Sequence, residues 1–120
     1  MNLLTIFFLA VCCNPFIAQT NIHPTNLFLD SASTGGVCKK SCKELHIYGP
    51  NKEVTDFTIV QTDLFIHSTS KFYSVYSSKI SDEMTKALEK LPSGTQVTFK
   101  AIAVNSKKKT IAVVGVFFVE

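Results

Sequence analysis

"TQVTFKAIAVNSKKKTIAVVGVFFVE", residues 95–120, decides how this chain folds. Its first part sets Val97, Phe99, Ala101 and Ala103 on one side of an extended chain and brings Ile102 and Val104 to the other, the period of two that a strand requires. Asn105, Ser106, Lys107, Lys108 and Lys109 supply a polar turn, read as a solvated hairpin tip, with an acidic partner as the sharper alternative. The chain then returns through a run with Ile111, Val113, Phe117 and Val119 on one side and Val114, Val116 and Phe118 on the other. A strand apolar on both faces is either covered on both or meets another molecule. Val114, Val116 and Phe118 are therefore expected to form a partner-contact strand.

Immediately upstream, "SDEMTKALEKLPSG" reads as a lone amphipathic helix over about residues 82–91. Ser81 is a good N-cap, and Asp82 and Glu83 place negative charge in the first turn, where the helix dipole favours it. Met84, Ala87, Leu88 and Leu91 recur at i, i+3, i+4 and i+7, while Pro92 and Gly94 stop the helix. In so small a chain that stripe has only a sheet to lie on, so Met84, Leu88 and Leu91 are expected to face the core. The opposite side carries Asp82, Lys86, Glu89 and Lys90.

Further upstream the pattern is again β. "ELHIYG" puts Leu45 and Ile47 on one side, "GPNKE" turns the chain, and "VTDFTIVQ", "LFIHS" and "FYSVYSS" read as short aromatic and β-branched strands between polar punctuation. Tyr73 and Val75 share a face, with Phe72 on the other. These segments predict a mainly β, α+β domain: a small antiparallel β-sandwich, Ig-like in character, with the one helix packed on its sheet.

The N-terminal part differs. "MNLLTIFFLAVCCNPFIA" has an uncharged apolar core from Leu3 to Cys13, a break at Asn14 and Pro15, and a small residue at Ala18. That is the layout of a secretory signal, residues 1–18, cleaved near Ala18 and Gln19. The core is shorter than the roughly 20 residues a membrane span needs, so no span is expected in the mature form, although a retained N-terminal anchor is the rival reading. Cys12 and Cys13 fall inside this segment. Residues 19–43 mix Asn, Ser, Thr, Pro and Gly around Leu27, Phe28 and Leu29, and are expected to be an extended lead-in with one short strand, ahead of a β domain over residues 44–120.

Cys38 and Cys42 lie in that lead-in, and three readings stay open for them. An oxidising compartment permits a short local disulfide, the pair can remain free thiols, or it can hold a metal with His46 and His67. Their spacing excludes a CxxC redox motif. With 46% hydrophobic and 18% charged residues the chain has the composition of one globular domain. All 12 basic residues are Lys, and the absence of Arg argues against nucleic-acid and phosphate recognition.

Catalysis would need a nucleophile, a base and a charge site held together. His23 lies in the lead-in, His46 beside Tyr48 in a strand, and His67 among apolar neighbours; Asp56, Asp63 and Asp82 have no telling spacing. With no phosphate loop and no nucleophile motif, no enzyme activity, cofactor or catalytic residue is expected.

"VTDFTIV", the aromatic strand of "FYSVYSS", the helix with Ser81 and Met84, the turn at Gly94, the strand residues Val97, Phe99 and Ile102, and the closing "IAVVGVFFV" are similar in order to the C-terminal periplasmic domain of the gliding-motility and type IX secretion family GldM (PorM) of Bacteroidetes. The resemblance covers about residues 44–120, and Ser78-Lys79 stands here where the family has Gly-Asn. It implies a stand-alone periplasmic or secreted module with this fold. The function it implies is non-enzymatic: protein–protein contact with envelope proteins such as secretion-machinery subunits, or with a second copy in a homodimer. The alternative is a secreted module that binds a small apolar molecule in a groove between helix and sheet.

Overall fold

A computed structural model describes residues 26–120 of the chain. The readings made for residues 1–18, for Cys12 and Cys13 and for His23 lie outside the described residues. Among the described residues eight strands and one helix follow in order: β1 (Asn26–Leu29), β2 (Ala32–Ser33), β3 (Val37–Cys38), β4 (Leu45–Tyr48), β5 (Thr58–Ile66), β6 (Lys71–Val75), α1 (Asp82–Glu89), β7 (Gln96–Val104) and β8 (Thr110–Val119). They form a three-stranded sheet, β2-β1-β4, and a five-stranded sheet, β3-β8-β7-β5-β6. The fold is the mainly β, sandwich-like α+β arrangement expected from the sequence.

The hairpin of β7 and β8 is the centre of the larger sheet. Its register pairs Gln96 with Phe118 and Val104 with Thr110 without interruption. Asn105 closes the turn: its backbone N–H donates to Lys109 O at 3.0 Å, while its side-chain oxygen accepts from the N–H groups of Lys107 and Lys109. Because successive side chains alternate, Val97, Phe99, Ala101 and Ala103 all point to one face and are fully buried there, with Phe117 beside them. Phe99 and Phe117 meet edge to face with ring centroids 5.8 Å apart, an arrangement aromatic quadrupoles favour.

That face is covered in two halves. The three-stranded sheet contributes Leu27, Leu29, Leu45 and Ile47 to the core, β1 touching β8 and β4 touching β5, and α1 contributes Met84 and Leu88. The helix starts as its sequence dictates, Met84 N–H donating to Ser81 Oγ at 3.2 Å. It ends at Glu89, two residues sooner than the apolar spacing indicates. Lys90 is the C-cap and Leu91 N–H donates to Leu88 O, a tighter final turn that still buries Leu91 before Pro92 and left-handed Gly94 (φ 86°) lead into β7.

Three sequence expectations change. The boundary at residue 44 does not divide the structure: β1 pairs with β4 and β3 pairs with β8, so residues 26–43 are part of the same core rather than a lead-in to it. The sandwich is not purely antiparallel, because β3 joins β8 in parallel. "VTDFTIVQ" and "LFIHS" form one nine-residue strand, β5, with a bulge between Ile59 and Gln61. Thr62 and Asp63 look like punctuation in the sequence but are buried and satisfied: Thr62 Oγ1 donates to Ser77 O at 2.7 Å, and the Asp63 carboxylate accepts from Ser74 Oγ and Gln61 Nε2.

Candidate interaction sites

With the core on one face of the five-stranded sheet, the alternate residues of every strand are left on the other. Among the described residues neither α1 nor the small sheet crosses that face. The registers align Phe72 of β6, Phe65 of β5, Thr98 of β7 and Val116 of β8 in one row across four strands. The neighbouring row on the β3 side brings Phe118 beside Val37, and the row on the other side holds Val114 next to Lys100. Phe72 is 61% exposed, Val114 58%, Val37 57% and Phe118 38%. Isolated exposed apolar residues are ordinary, but several of them gathered in adjacent rows of an uncovered sheet face form a surface suited to a partner. Below the row the face turns polar through Asp63, Ser74 and Gln61. His67 edges the patch, sharing a 2.7 Å hydrogen bond with Thr98 Oγ1 and meeting Phe65 edge to face.

The expected contact residues Val114, Val116 and Phe118 thus lie together on this open face, while Met84, Leu88 and Leu91 are buried on the opposite side of the sheet. Val37, Phe65 and Phe72 belong to the same surface and were not singled out by the sequence. The alternation of "FYSVYSS" marks Phe72, but nothing local to Val37 tells that it joins the end of β8.

A second feature lies beside α1. A half-open groove of about 430 Å³ runs between the helix and the β5–β6 hairpin. Ile66, Tyr73, Ala87 and Leu91 form its floor, and Lys71, Lys86, Lys90 and Glu83 stand on its walls. The helical wall follows from spacing: residues 83, 86, 87, 90 and 91 lie at i, i+3, i+4, i+7 and i+8 and share one side of the helix.

Cys38 and Cys42 are brought together in the core as free thiols. The turn between them closes with Cys42 N–H donating to Lys39 O at 3.0 Å, and the Asp30 carboxylate pins its end by accepting from the N–H groups of Lys43 and Glu44. A hydrogen bond between the two thiols lowers the pKa of Cys38 below the ordinary 9.0, against the opposing effect of burial. The same bond, reinforced by burial, pushes the Cys42 thiol up. The metal reading with His46 and His67 is not assembled: among the described residues no three His, Cys, Asp or Glu side chains come together. His46 instead stacks on Tyr48 with centroids 5.9 Å apart, and Asp56 accepts from Ser106 Oγ.

No helix among the described residues is long and apolar enough to cross a membrane. No protein-family model, curated protein or solved structure matches this chain.

Proposed function

We propose that this chain is an exported, non-enzymatic interaction module that docks an envelope protein through the open face of its five-stranded sheet. The observation that carries the reading is the apolar cluster on this face: Phe72 and Phe65 side by side on β6 and β5, Val116 in the same row beyond Thr98, and Val37, Val114 and Phe118 in the flanking rows. Phe72 and Phe118 are the anchors, since large aromatic side chains that enter a partner's pockets carry most of the energy of an interface. The signal-like N-terminus supplies the export. The family resemblance points to subunits of the gliding and type IX secretion machinery as the partner class.

The test places a photo-crosslinking residue at Val114 in a cell that makes this machinery. Capture of an envelope subunit, lost on Phe72→Asp/Phe118→Asp while the thermal midpoint holds, supports the reading. Crosslinking indifferent to both substitutions removes it. The exported form should begin at Gln19.

The alternative, a module that holds a small apolar ligand, would place it in the groove beside α1. Native mass spectrometry of the purified protein would then record a bound small molecule, and a bare polypeptide mass argues against it.

A further inference from the structure

We propose that the groove between α1 and β6 receives an extended acidic segment of a partner protein, which adds to β6 as a new edge strand and lays alternate carboxylates against Lys71, Lys86 and Lys90. The inference rests on the reading of this chain as an interaction module but assigns a different surface from the open sheet face.

Three observations meet at this place. First, β6 is the outer strand of the larger sheet, and among the described residues it pairs only with β5. Its five residues therefore present a row of backbone N–H and C=O groups on the outer edge, the template for strand addition. Second, the side chains of β6 that point to the core face, Lys71 and Tyr73, are the ones lining the groove. A strand added at the usual spacing of about 4.8 Å carries its own alternate side chains to that same face, so every second residue of the partner turns toward α1. Third, the walls hold three ammonium groups against one carboxylate, 3 − 1 = +2, over an apolar floor of Ile66, Tyr73, Ala87 and Leu91.

The chemistry of the occupant follows from those walls. Acidic side chains reach Lys86 and Lys90 on the helix and Lys71 on the neighbouring strand, and an aliphatic side chain placed among them lies over the Tyr73 ring and Leu91. Glu83 stands at the far end of the helical wall from Lys90 and repels a carboxylate there, which biases the register toward the lysines. A small apolar molecule would leave the three lysines unused and stay largely in water in a half-open groove, whereas pockets for such ligands enclose most of the ligand surface.

The experiment titrates the purified protein with a short labelled peptide, Glu-Thr-Val-Thr-Glu-Thr, whose Glu and Val side chains share one face of the extended chain, following fluorescence anisotropy and backbone amide exchange. Binding is expected, with slowed exchange confined to β6 amides and an affinity loss of about tenfold or more in Lys86→Glu/Lys90→Glu, as removal and reversal of two surface attractions allow. Lys71→Glu repeats the test from the sheet side if the helix variant folds poorly. A peptide N-methylated at every amide, which keeps the charges but has no N–H to donate to β6, should bind far more weakly. Equal binding of the N-methylated peptide, unchanged exchange in β6, a small molecule retained in the groove, or no binding at all would each overturn the proposal. Those failures leave the sheet-face reading standing, because it is decided separately by the crosslinks at Val114; loss of those crosslinks alone would leave the groove intact.

Discussion

At the scale of single residues the paired thiols are the most unusual feature of the interior. Cys38 is fully buried and Cys42 4% exposed, yet their hydrogen bond lets the pair release one proton, from Cys38, while holding the second on Cys42. The unfolded chain releases both near the ordinary thiol value of 9.0. Between the lowered Cys38 value and 9.0 the unfolded state therefore binds more protons than the folded one, and stability rises with pH; above 9.0 the folded state binds more, and stability falls. Each limb has a slope of up to about 1.4 kcal/mol per pH unit. Urea unfolding under reducing conditions should show this peak in the difference between the native chain and Cys38→Ala/Cys42→Ala, a subtraction that cancels the lysines and tyrosines. A difference that stays flat through alkaline pH would mean the thiols titrate independently of folding. Among the described residues no third His, Cys, Asp or Glu side chain joins the two thiols.

At the scale of elements, the contact between the two sheets turns on Gly115. The residue lies opposite Phe99 in the register of β7 and β8, and a Cβ there would come within 2.6 Å of Thr34 Oγ1, 3.1 Å of Phe117 Cε1 and 3.3 Å of Leu27 Cδ2. Thr34 cannot swing aside freely, because its hydroxyl donates to Leu27 O at 3.2 Å. Gly115→Ala should therefore lower stability by about 1 to 3 kcal/mol, the usual cost of overpacking, and Thr34→Ala in the same chain should recover part of it. Chemical denaturation of the two single variants and the double closes the cycle; strictly additive losses would show that the sheets part to make room. Elements such as β7, β8 and α1 were legible in advance because their signals are local: alternation around Phe99, a capping Ser81, a stripe at Met84 and Leu88. What escaped was settled at a distance. Asp63 reads as a strand break until Ser74 is seen to satisfy it across β6, and Val37 reads as linker until it is seen beside Phe118. The same holds for the candidate sites, where the contact residues on β8 show in its two-faced pattern but the free edge of β6 depends on a strand order that no stretch of sequence spells out.

At the scale of the whole molecule, the end of β8 ties together segments that are far apart in the sequence. Val119 O accepts from Gly94 N–H at 2.7 Å and Val119 N–H donates to Thr95 O, which anchors the C-terminus to the turn after α1. On its other side Phe118 N–H donates to Gly36 O and Glu120 N–H to Cys38 O, which anchors β3 and the cysteine turn to the same few residues. Phe117 and Val119 also fill the core from this segment, at 0% and 2% exposure. Side chains of that size contribute about 1.5 to 3 kcal/mol each when fully buried. The backbone bonds add about 1 kcal/mol apiece, and an entire domain has only about 5 to 15 kcal/mol to lose. Removal of residues 117–120 should therefore abolish cooperative unfolding. Circular dichroism melts of the shortened chain read this directly. A cooperative transition near that of the full chain would mean that β7 and the small sheet hold the core without the closing strand, and that the parallel joint between β3 and β8 is an ornament of the fold rather than its clasp.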